Sequence, residues 1–212
     1  MAKKTFVVVG LGLFGEAIAL ELERLGMQVI GVDKNQERVD HVADYLTMAV
    51  CLDVRNDDQF RNLDLARVDG MVIAMAEDTD ASVMATIIAK EEGVPFVYAK
   101  ARDRLHMKIL MRVGADEAEV PERASGIHLA RKMANDNLRN FVELSTRFRL
   151  VETAPKEEWV GKSLKDLNLR KKFNLNVIGY HKGENWSIQI DPDKPLERDI
   201  NLLVILDEEE IK

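Results

Sequence analysis

The sequence predicts an α/β fold in which a Rossmann-like parallel sheet domain is followed by a smaller α+β domain. From Thr5 to about Val120, short apolar segments alternate with amphipathic helical segments, which is the pattern of a parallel sheet covered on both faces. A glycine-rich motif directly follows the first apolar segment and opens a helical one. After Phe148 the pattern changes to strands around a hairpin with one helix, which is typical of a small α+β domain.

The predicted strands of the first half are rich in Val, Ile, Ala and Met, and their apolar residues run on without regular alternation. Strands that are buried on both faces of a sheet have this composition. The strands are predicted at Thr5–Val9, Gln28–Val32, Met48–Leu52, Gly70–Met75, Phe96–Lys100 and Glu117–Val120.

Helices are predicted between these strands, with a cap or a stop signal at most of their ends. Asn35, Asp80 and Asp103 are predicted N-caps, because their short side chains can accept a hydrogen bond from the first helical turn. Glycines stand where three helices should end. The helices are predicted at Gly12–Leu25, Asn35–Tyr45, Asp57–Leu63, Asp80–Glu92 and Asp103–Val113, and the terminating glycines are Gly26, Gly93 and Gly114.

A long amphipathic segment, from Glu122 to about Asn140, follows Pro121 and joins the two halves, and its apolar residues approximate a helical stripe. Two interpretations are open: an ordinary last helix of the first domain, or a crossover helix that packs against a second subunit. We therefore divide the chain into a Rossmann nucleotide-binding domain (residues 1–121), a crossover or dimerisation helix (122–142) and a small α+β regulatory domain (143–212).

The second half is predicted to contain one helix, capped by Ser163, and a hairpin turn at residues 182–185. At roughly 65 residues this domain is marginal alone, so we expect it to pair with a copy of itself or to pack on its neighbour. The strands are predicted at Phe148–Thr153, Asn176–His181, Trp186–Ile190 and Asn201–Leu206, and the helix at Leu164–Lys172.

Charge and cysteine content limit the functional classes. Lys and Arg number 30 against 37 Asp and Glu, for a net charge of −7. A field of that sign repels nucleic acid and anionic membranes, so neither is an expected partner. The single cysteine, Cys51, excludes an internal disulfide and fits a reducing compartment. Because Cys51 stands in an apolar run, we expect it to be a small buried hydrophobe.

The longest stretch that is mainly apolar, Phe6–Leu20, is interrupted by three glycines and by Glu16. It is too short and too interrupted to span a bilayer, and it lacks the small-residue cleavage site of a signal peptide. We therefore expect a soluble, cytoplasmic protein.

The motif at residues 10–15, Gly-Leu-Gly-Leu-Phe-Gly, has the composition and context of a dinucleotide-binding loop. Gly10 permits the tight turn, Gly12 lets the backbone approach a pyrophosphate, and Gly15 lets the helix pack close to the strand. The N–H groups that open the helix carry partial positive charge, which suits phosphates. Asp33 ends the second strand, where a carboxylate can accept hydrogen bonds from both ribose hydroxyls and disfavours a 2′-phosphate. We therefore predict that the motif residues, with Leu11, Leu13 and Phe14 among them, bind a nucleotide.

Polar residues follow three further strands, and ligands bind at the carboxyl ends of the strands of such sheets. Asp53, followed by Val54, is a candidate for reading the adenine edge, although capping of the next turn is an equally good interpretation. Ala76 and Glu77 follow the fourth strand. Lys100 ends the fifth and is a candidate partner for a phosphate, with a solvated surface lysine as the alternative.

No constellation of residues indicates catalysis. The four histidines, His41, His106, His128 and His181, lack neighbours at metal-ligand spacing, and we expect each on the surface or on a helix face. The sequence contains neither a nucleophile-elbow motif nor a P-loop. A small NAD(H)-dependent oxidoreductase is the alternative, but it needs an acid–base group that faces the nicotinamide. A binding module is favoured.

Taken together, these residues resemble the RCK proteins, TrkA- and KtrA-like subunits that regulate Trk- and Ktr-type potassium uptake. The resemblance rests on Phe6–Gly15, on Val32–Asn35, on the Gly-Ala-Asp turn at 114–116 and on the Pro-Glu-Arg step at 121–123. In the second half, residues 161–170 are similar to the signature of that family's C-terminal lobe. The resemblance covers essentially the whole chain, with both domains in the family's order.

This resemblance implies a cytoplasmic gating subunit, associated with the cell membrane through its partner. In that family, dimers assemble into a homo-octameric ring that binds adenine nucleotides, ATP/ADP or NAD(H), and docks on a membrane-embedded potassium channel subunit. The resemblance also adds Lys34 and Asn35 to the predicted nucleotide-binding residues. The sequence does not separate a channel regulator from the cytosolic tail of an exchanger or a stand-alone sensor, since docking surfaces leave no readable motif.

The chain departs from the family's pattern at Leu13 and at Lys165. Leu13 stands where Ktr-type members usually have an arginine that reaches a γ-phosphate in the neighbouring subunit. Glu122 matches a carboxylate that helps hold a divalent cation, Mg or Ca, but here lacks that arginine companion. In the C-terminal lobe the resemblance implies a cyclic di-AMP site in which Lys165 replaces an apolar residue of the pocket wall. The positions that match this site are Leu164, Lys165, Asn168, Arg170, Asn176 and Pro192.

Overall fold

The computed structural model of the protein describes residues 3–133, 138–143 and 148–207. The chain forms two compact units, Met1–Ala124 and Ser125–Lys212. The division between them falls inside a helix that begins at Pro121. Each unit is described by itself.

The first unit contains the predicted Rossmann-like sheet, whose six strands are all parallel. The spatial order is β3-β2-β1-β4-β5-β6, so the order reverses between β1 and β4. A ligand crevice opens at such a reversal, outside the carboxyl ends of the strands. The strands are β1 Thr5–Val9, β2 Gln28–Asp33, β3 Met48–Cys51, β4 Gly70–Ile73, β5 Val97–Lys100 and β6 Glu117–Glu119.

Helices connect these strands, and most of their ends are capped as predicted. Asn35 and Asp103 accept hydrogen bonds from Glu37 N and His106 N, so both predicted caps are confirmed. Gly26, Gly93 and Gly114 all have positive φ and follow helices, as predicted. The helices are α1 Leu13–Arg24, α2 Gln36–Val42, α3 Asp57–Arg61, α4 Thr79–Glu91, α5 Arg104–Arg112 and α6 Pro121–Met133, with a 3₁₀ turn at Leu65–Arg67.

The predicted cap at Asp80 is wrong. Helix α4 begins at Thr79, and Asp78 is its N-cap, with the carboxylate accepting from Ala81 N. Asp80 lies in the first turn, where its negative charge suits the partial positive charge of the helix N-terminus. The shift matters because β4 ends at Ile73, so residues 74–78 form a loop at the carboxyl edge of the sheet.

The core of the first unit lies on both faces of the sheet, because successive residues of a strand point to opposite faces. Val7 and Val9 pack with the cluster that includes Phe60, Met71 and Leu110. Val8, between them, packs with Leu11, Ala19 and Val29 on the other face. Residues Val7 to Val9 are fully buried, which explains why β1 reads as a continuous apolar run.

One further expectation for this unit is wrong, whereas His106 lies on a face of α5, as expected. Cys51 is exposed rather than buried, because it ends β3, the edge strand of the sheet. His106 is only 2% exposed, because it joins α5 to α4: Arg102 N donates to Nδ1, and Nε2 lies 2.9 Å from Ser82 Oγ. The Ser82 hydroxyl in turn donates to Thr79 O. Burial lowers the pKa of His106, and its hydrogen bond to Ser82 joins the imidazole to the start of α4.

The second unit contains the predicted α+β domain. Its five-stranded sheet has the order β10-β9-β11-β8-β7, and every pair is antiparallel. Its core includes Trp159, Leu167, Leu202 and Val204. The elements are β7 Leu138–Glu143, β8 Phe148–Thr153, α7 Leu164–Leu167, α8 Leu169–Phe173, β9 Leu175–Lys182, β10 Asn185–Ser187 and β11 Asn201–Asp207, with a 3₁₀ turn at Glu157–Trp159.

The helix predicted from Glu122 to about Asn140, and drawn to 142 in the domain division, is wrong in its last part. Helix α6 is described as far as Met133, and Leu138–Glu143 forms β7, which pairs with β8. The residues of the strand, Leu-Arg-Asn-Phe-Val-Glu, include Phe and Val, which favour strands. Pairing in the sheet therefore outweighs the approximate helical spacing.

Three details of the second unit also differ from expectation. The predicted helix Leu164–Lys172 is broken at Asn168, whose φ of +48° separates α7 from α8, while Ser163 caps α7 as predicted. The strand predicted to Ile190 ends at Ser187, where the hydroxyl donates to Gln189 O in a local turn. His181 is not a surface residue: its Nε2 lies 2.9 Å from Glu152 Oε1, and its ring stacks on Trp186.

Within the part of the chain that the structure describes, none of the helices has both the length and the apolar character needed to cross a bilayer.

Candidate functional site

A pocket of about 640 Å³ opens at the carboxyl ends of the strands of the first unit. It lies where the strand order reverses, so its position follows from the topology. Twelve of the sequence-predicted residues line it: Gly10, Gly12, Leu13, Phe14, Asp33, Lys34, Asp53, Val54, Ala76, Glu77, Lys100 and Glu122.

Three predicted residues lie behind the lining and support it. Leu11 is buried in the core beneath the glycine loop, and Gly15 lies in the first turns of α1. Asn35 caps α2, the helix that follows β2. At these positions the three residues support the pocket wall. Direct contact with a ligand stays a prediction for the residues that line the pocket.

The glycine loop places its three glycines in three different environments. Gly10 has a φ of +91° and donates from its N–H to Val32 O at 2.7 Å, so it ties β1 to β2 through a turn that favours glycine. A Cβ on Gly15 would overlap the carbonyl oxygen of Gly10. A Cβ on Gly12 would meet only Arg38 Nη1, at 3.9 Å, and would point into the pocket. Gly15 is therefore required by packing, and Gly12 leaves open space beside the backbone.

Helix α1 begins at this open space without a side-chain cap. Gly12 is its N-cap residue and supplies no side-chain acceptor, and Gly12 O accepts the first helical hydrogen bond, from Glu16 N at 2.8 Å. The N–H groups of the first helical turn lack intrahelical partners. They carry the positive end of the helix dipole, so the pocket presents an anion-binding surface where an adjacent phosphate can approach the backbone.

Asp33 fastens this loop to the end of β2. One carboxylate oxygen accepts from Leu11 N at 2.7 Å, and the other accepts from Asn35 N at 2.8 Å. Arg38 Nη1 lies 3.4 Å from the first of these oxygens. An ionised carboxylate has about four acceptor positions, so Asp33 keeps capacity for a ribose hydroxyl. The bond to Leu11 N joins residues 22 positions apart, and no sequence motif predicts it.

Lys100 is held in the pocket by two neighbours. Its Nζ pairs with Glu122 Oε1 and lies 5.3 Å from the centre of the Phe14 ring. Phe14 also stacks on Tyr98, with ring centres 6.3 Å apart. The hydrogen bond from Lys100 lowers the pKa of Glu122. The arrangement places one cation beside the glycine loop, with its charge already matched by a carboxylate.

The residues of this pocket do not form a metal centre by themselves. Among the described residues there is no cluster of three or more His, Cys, Asp or Glu side chains that could hold a metal ion. Glu122 contributes a single carboxylate, which is paired with Lys100. A divalent cation near Glu122 therefore stays a prediction, and it would need most of its oxygen ligands from the phosphates of a nucleotide.

Sequence reasoning missed Arg55 and Asp78, which line the pocket together with Arg38 of α2. Arg55 Nη2 lies 2.6 Å from both carboxylate oxygens of Asp78. Burial alone would raise the pKa of Asp78, but hydrogen bonds from Arg55, Ala81 N and Lys34 together lower it. Asp53 accepts from Arg55 N at 3.0 Å, so its turn-capping role is observed, and its reading of adenine stays a prediction. Their position in the loops after β3 and β4 was the only available signal for Arg55 and Asp78.

In the second unit, four of the residues predicted to contact cyclic di-AMP are joined in two pairs by backbone hydrogen bonds. Lys165 N donates to Pro192 O, and Asn168 N donates to Leu164 O. Arg170 lies on α8 and Asn176 on β9. A pocket that includes Leu164 has a volume of about 80 Å³ and is not lined by the other five predicted residues. The cyclic di-AMP site therefore stays a prediction.

Comparison with protein families gives two matches that cover most of the chain. Residues 6–121 match the TrkA-N domain, and residues 148–212 match the TrkA-C domain. The Ktr system potassium uptake protein A of Vibrio alginolyticus is 37% identical over 203 residues, which are 96% of this chain and 91% of that protein. The protein of the same name from Bacillus subtilis is 32% identical, over 85% of this chain and 82% of that protein.

Solved structures share the fold at low sequence identity. The GsuK channel bound to NAD is similar with a TM-score of 0.66 at 13% identity, over 98% of this chain. A crystal structure of GsuK bound to ADP is similar with a TM-score of 0.54 at 14% identity, over 65% of this chain. The chain spans about two fifths of the GsuK channel chain or less, 38% and 36% in these two comparisons.

Proposed function

Because the chain belongs to the family of RCK proteins built from a TrkA-N and a TrkA-C domain, we propose that it is the nucleotide-binding regulatory subunit of a Trk- or Ktr-type potassium uptake system. It works at the cytoplasmic face of the membrane, bound to a membrane-embedded channel subunit. The relatives from Vibrio alginolyticus and Bacillus subtilis are named as potassium uptake proteins and match over most of their length.

The observation that carries the proposal is the anion-binding surface at the start of α1. Unpaired helix N–H groups face the open side of Gly12, and Asp33 stands beside them at the end of β2. This pairing of a phosphate cradle with a ribose acceptor suits a nucleotide. The class we propose is an adenine nucleotide, ATP/ADP or NAD(H), as in the GsuK structures with NAD and with ADP.

Regulation requires that the nucleotide bind two states of the assembly with different affinity, since a ligand shifts an equilibrium only by its differential affinity. We propose that copies of this chain form dimers and an octameric ring, and that nucleotide exchange changes the shape of the ring. Leu129 and Met133 on α6 are 56% and 75% exposed. Apolar side chains at these positions support packing of this helix against another copy.

A transport assay tests the regulatory role. The chain is purified together with the membrane subunit from the same organism, and potassium uptake into liposomes is measured with ADP, ATP or NADH present. We expect uptake to depend on the nucleotide by several-fold, because the ligands favour different ring states. Uptake by the membrane subunit alone should not respond. Uptake that is the same with every nucleotide and without the chain would contradict the proposal.

We further predict that the chain discriminates poorly between ATP and ADP. Leu13, the first residue of α1, is 93% exposed at the pocket and offers no charge to a third phosphate. The cations of the described lining, Lys34, Arg38, Arg55 and Lys100, are each paired with a carboxylate. The third phosphate of ATP therefore adds little to the binding free energy. We expect the dissociation constants of ATP and ADP to lie within about tenfold of each other, or 1.4 kcal/mol.

Calorimetric titration of ATP and ADP measures this ratio directly. Leu13→Arg should shift it toward ATP, because a guanidinium matches phosphate geometry. Leu13→Gln, of similar size but uncharged, is the matched control and should leave the ratio unchanged. A native preference for ATP of about a hundredfold or more would show that another residue recognises the γ-phosphate.

A further inference from the structure

An ion pair bridges the mouth of the pocket. Arg55 follows β3 and Asp78 follows β4, and these strands lie on opposite sides of β2 and β1 in the sheet. Three intervals between neighbouring strands separate them, roughly 14 Å in all. Yet Arg55 Nη2 lies 2.6 Å from both oxygens of Asp78. The loops after β3 and β4 therefore bring the two side chains together at the carboxyl edge of the sheet. We call this pair the clasp.

Neighbouring groups hold both ends of the clasp in place. Arg55 Nη1 lies 3.4 Å from Asp53 Oδ2, and the Asp53 carboxylate also accepts from Arg55 N. Asp78 is fixed by its capping bond with Ala81 N, and Lys34 Nζ lies 3.3 Å from Asp78 Oδ2. Lys34 follows β2, so loops after three strands converge on the clasp. Such a network orients the guanidinium plane before any ligand arrives, which a single exposed ion pair would not do.

The clasp lies at the end of the pocket where a base belongs. The phosphate cradle is at Gly12 and the ribose acceptor is Asp33, at the ends of β1 and β2. Continuing in the same direction, the next lining residues come after β3, where Leu52 and Val54 are almost fully buried. These side chains give an apolar wall, and the Arg55 side chain, 43% exposed, lies at the same end. An apolar surface with a planar cation at the same end of the pocket is suited to a flat aromatic ring.

We propose that Arg55, held by Asp78, forms the roof of the base subsite and is a specificity-determining residue that retains purine nucleotides. The inference rests on the proposed nucleotide binding and deepens it. A guanidinium stacks on an aromatic face through both its charge and its plane. A purine has two rings to cover and a pyrimidine has one, so the roof favours purines. Because the roof touches the base, its contribution is independent of the number of phosphates.

Binding kinetics of the immobilised full-length chain, measured by surface plasmon resonance, test the roof. The probes are AMP, ADP, ATP and UDP, and the variants are Arg55→Ala and Asp78→Asn. The asparagine still caps α4 but loses the charge that holds Arg55. Arg67→Ala is the matched control, because Arg67 is an exposed, ion-paired arginine outside the pocket lining.

Arg55→Ala should weaken AMP, ADP and ATP by the same factor, about tenfold, mainly through faster dissociation. UDP should weaken by about threefold or less, so the preference for ADP over UDP falls. Asp78→Asn should weaken binding in the same way. The double variant should bind the nucleotides no more weakly than Arg55→Ala alone, because both changes remove the same contact between Arg55 and the base. Melting temperatures of the ligand-free variants and all constants of Arg67→Ala should stay at the wild-type values.

Three results would overturn the inference. Tighter binding in Arg55→Ala would show that the clasp blocks the pocket. A loss confined to ATP would make Arg55 a phosphate contact, and unchanged affinities in Arg55→Ala or in Asp78→Asn would show that the clasp does not hold a roof. Failure of the proposed function is a different outcome: there the wild-type chain binds none of the four nucleotides.

Discussion

Gly12→Ala should abolish nucleotide binding while the ligand-free protein stays folded. The added Cβ meets only Arg38 Nη1, at 3.9 Å, which is an ordinary contact. The backbone at Gly12, with φ −76° and ψ −176°, is extended and suits alanine. The methyl group would project into the pocket, where a phosphate must approach the first N–H groups of α1. We expect ADP, ATP and NAD⁺ each to bind at least about a hundredfold more weakly.

Two measurements check this result. Calorimetry gives the loss of affinity, and thermal unfolding shows whether the ligand still raises the melting temperature, since a ligand that binds only the folded state stabilises it. The ligand-free melting temperature should match that of the wild type. Unchanged affinity would mean that the phosphates lie elsewhere and would remove the glycine loop from the site.

The fold could be predicted because its signals are local. Buried parallel strands are continuous apolar runs, and caps such as Asn35 and Asp103 act within three residues of their own position. The glycine loop was recognisable for the same reason: Gly10 and Gly12 stand between a strand and a helix, and Gly15 lies in the first turn of that helix. Local sequence patterns predict these elements, and the tertiary structure agrees with the predictions.

The features that could not be predicted depend on partners distant in sequence. Arg55 and Asp78 are 23 residues apart, and Ser82 and His106 are 24 apart. Spacing along the chain does not indicate that these side chains meet. The edge position of β3, which exposes Cys51, depends on strand order, and strand order is also a long-range property.

The second unit was harder to predict because its elements are short and compete with alternatives. The sequence of Leu138–Glu143 is compatible with the end of an amphipathic helix, but the segment forms a strand because it pairs with β8. Asn168 interrupts a plausible helix by adopting a left-handed conformation, which asparagine tolerates better than most residues. Short segments of this kind are set by their tertiary context.

Gly15→Ala, in contrast to Gly12→Ala, should destabilise the first unit itself. Its Cβ would overlap Gly10 O, and it would also lie 3.0 Å from Gly10 C and 3.1 Å from Ala74 Cβ. Two of these three atoms belong to the backbone, so no flexible side chain can move away. Helix α1 must shift from β1 and β4, and that opens the packing of Ala19 and Val8 beneath it.

We expect this overlap to cost about 3 kcal/mol or more, at the upper end for an overpacked core. For a domain of this size that lowers the melting temperature by roughly 6–12 °C or more. Thermal and urea unfolding of the ligand-free protein measure the change, with Gly12→Ala as the matched control in the same loop. A Gly15→Ala protein as stable as the control would show that helix and strand are not in close contact at this point. In that case Gly15, too, would be available to the ligand rather than required by the fold.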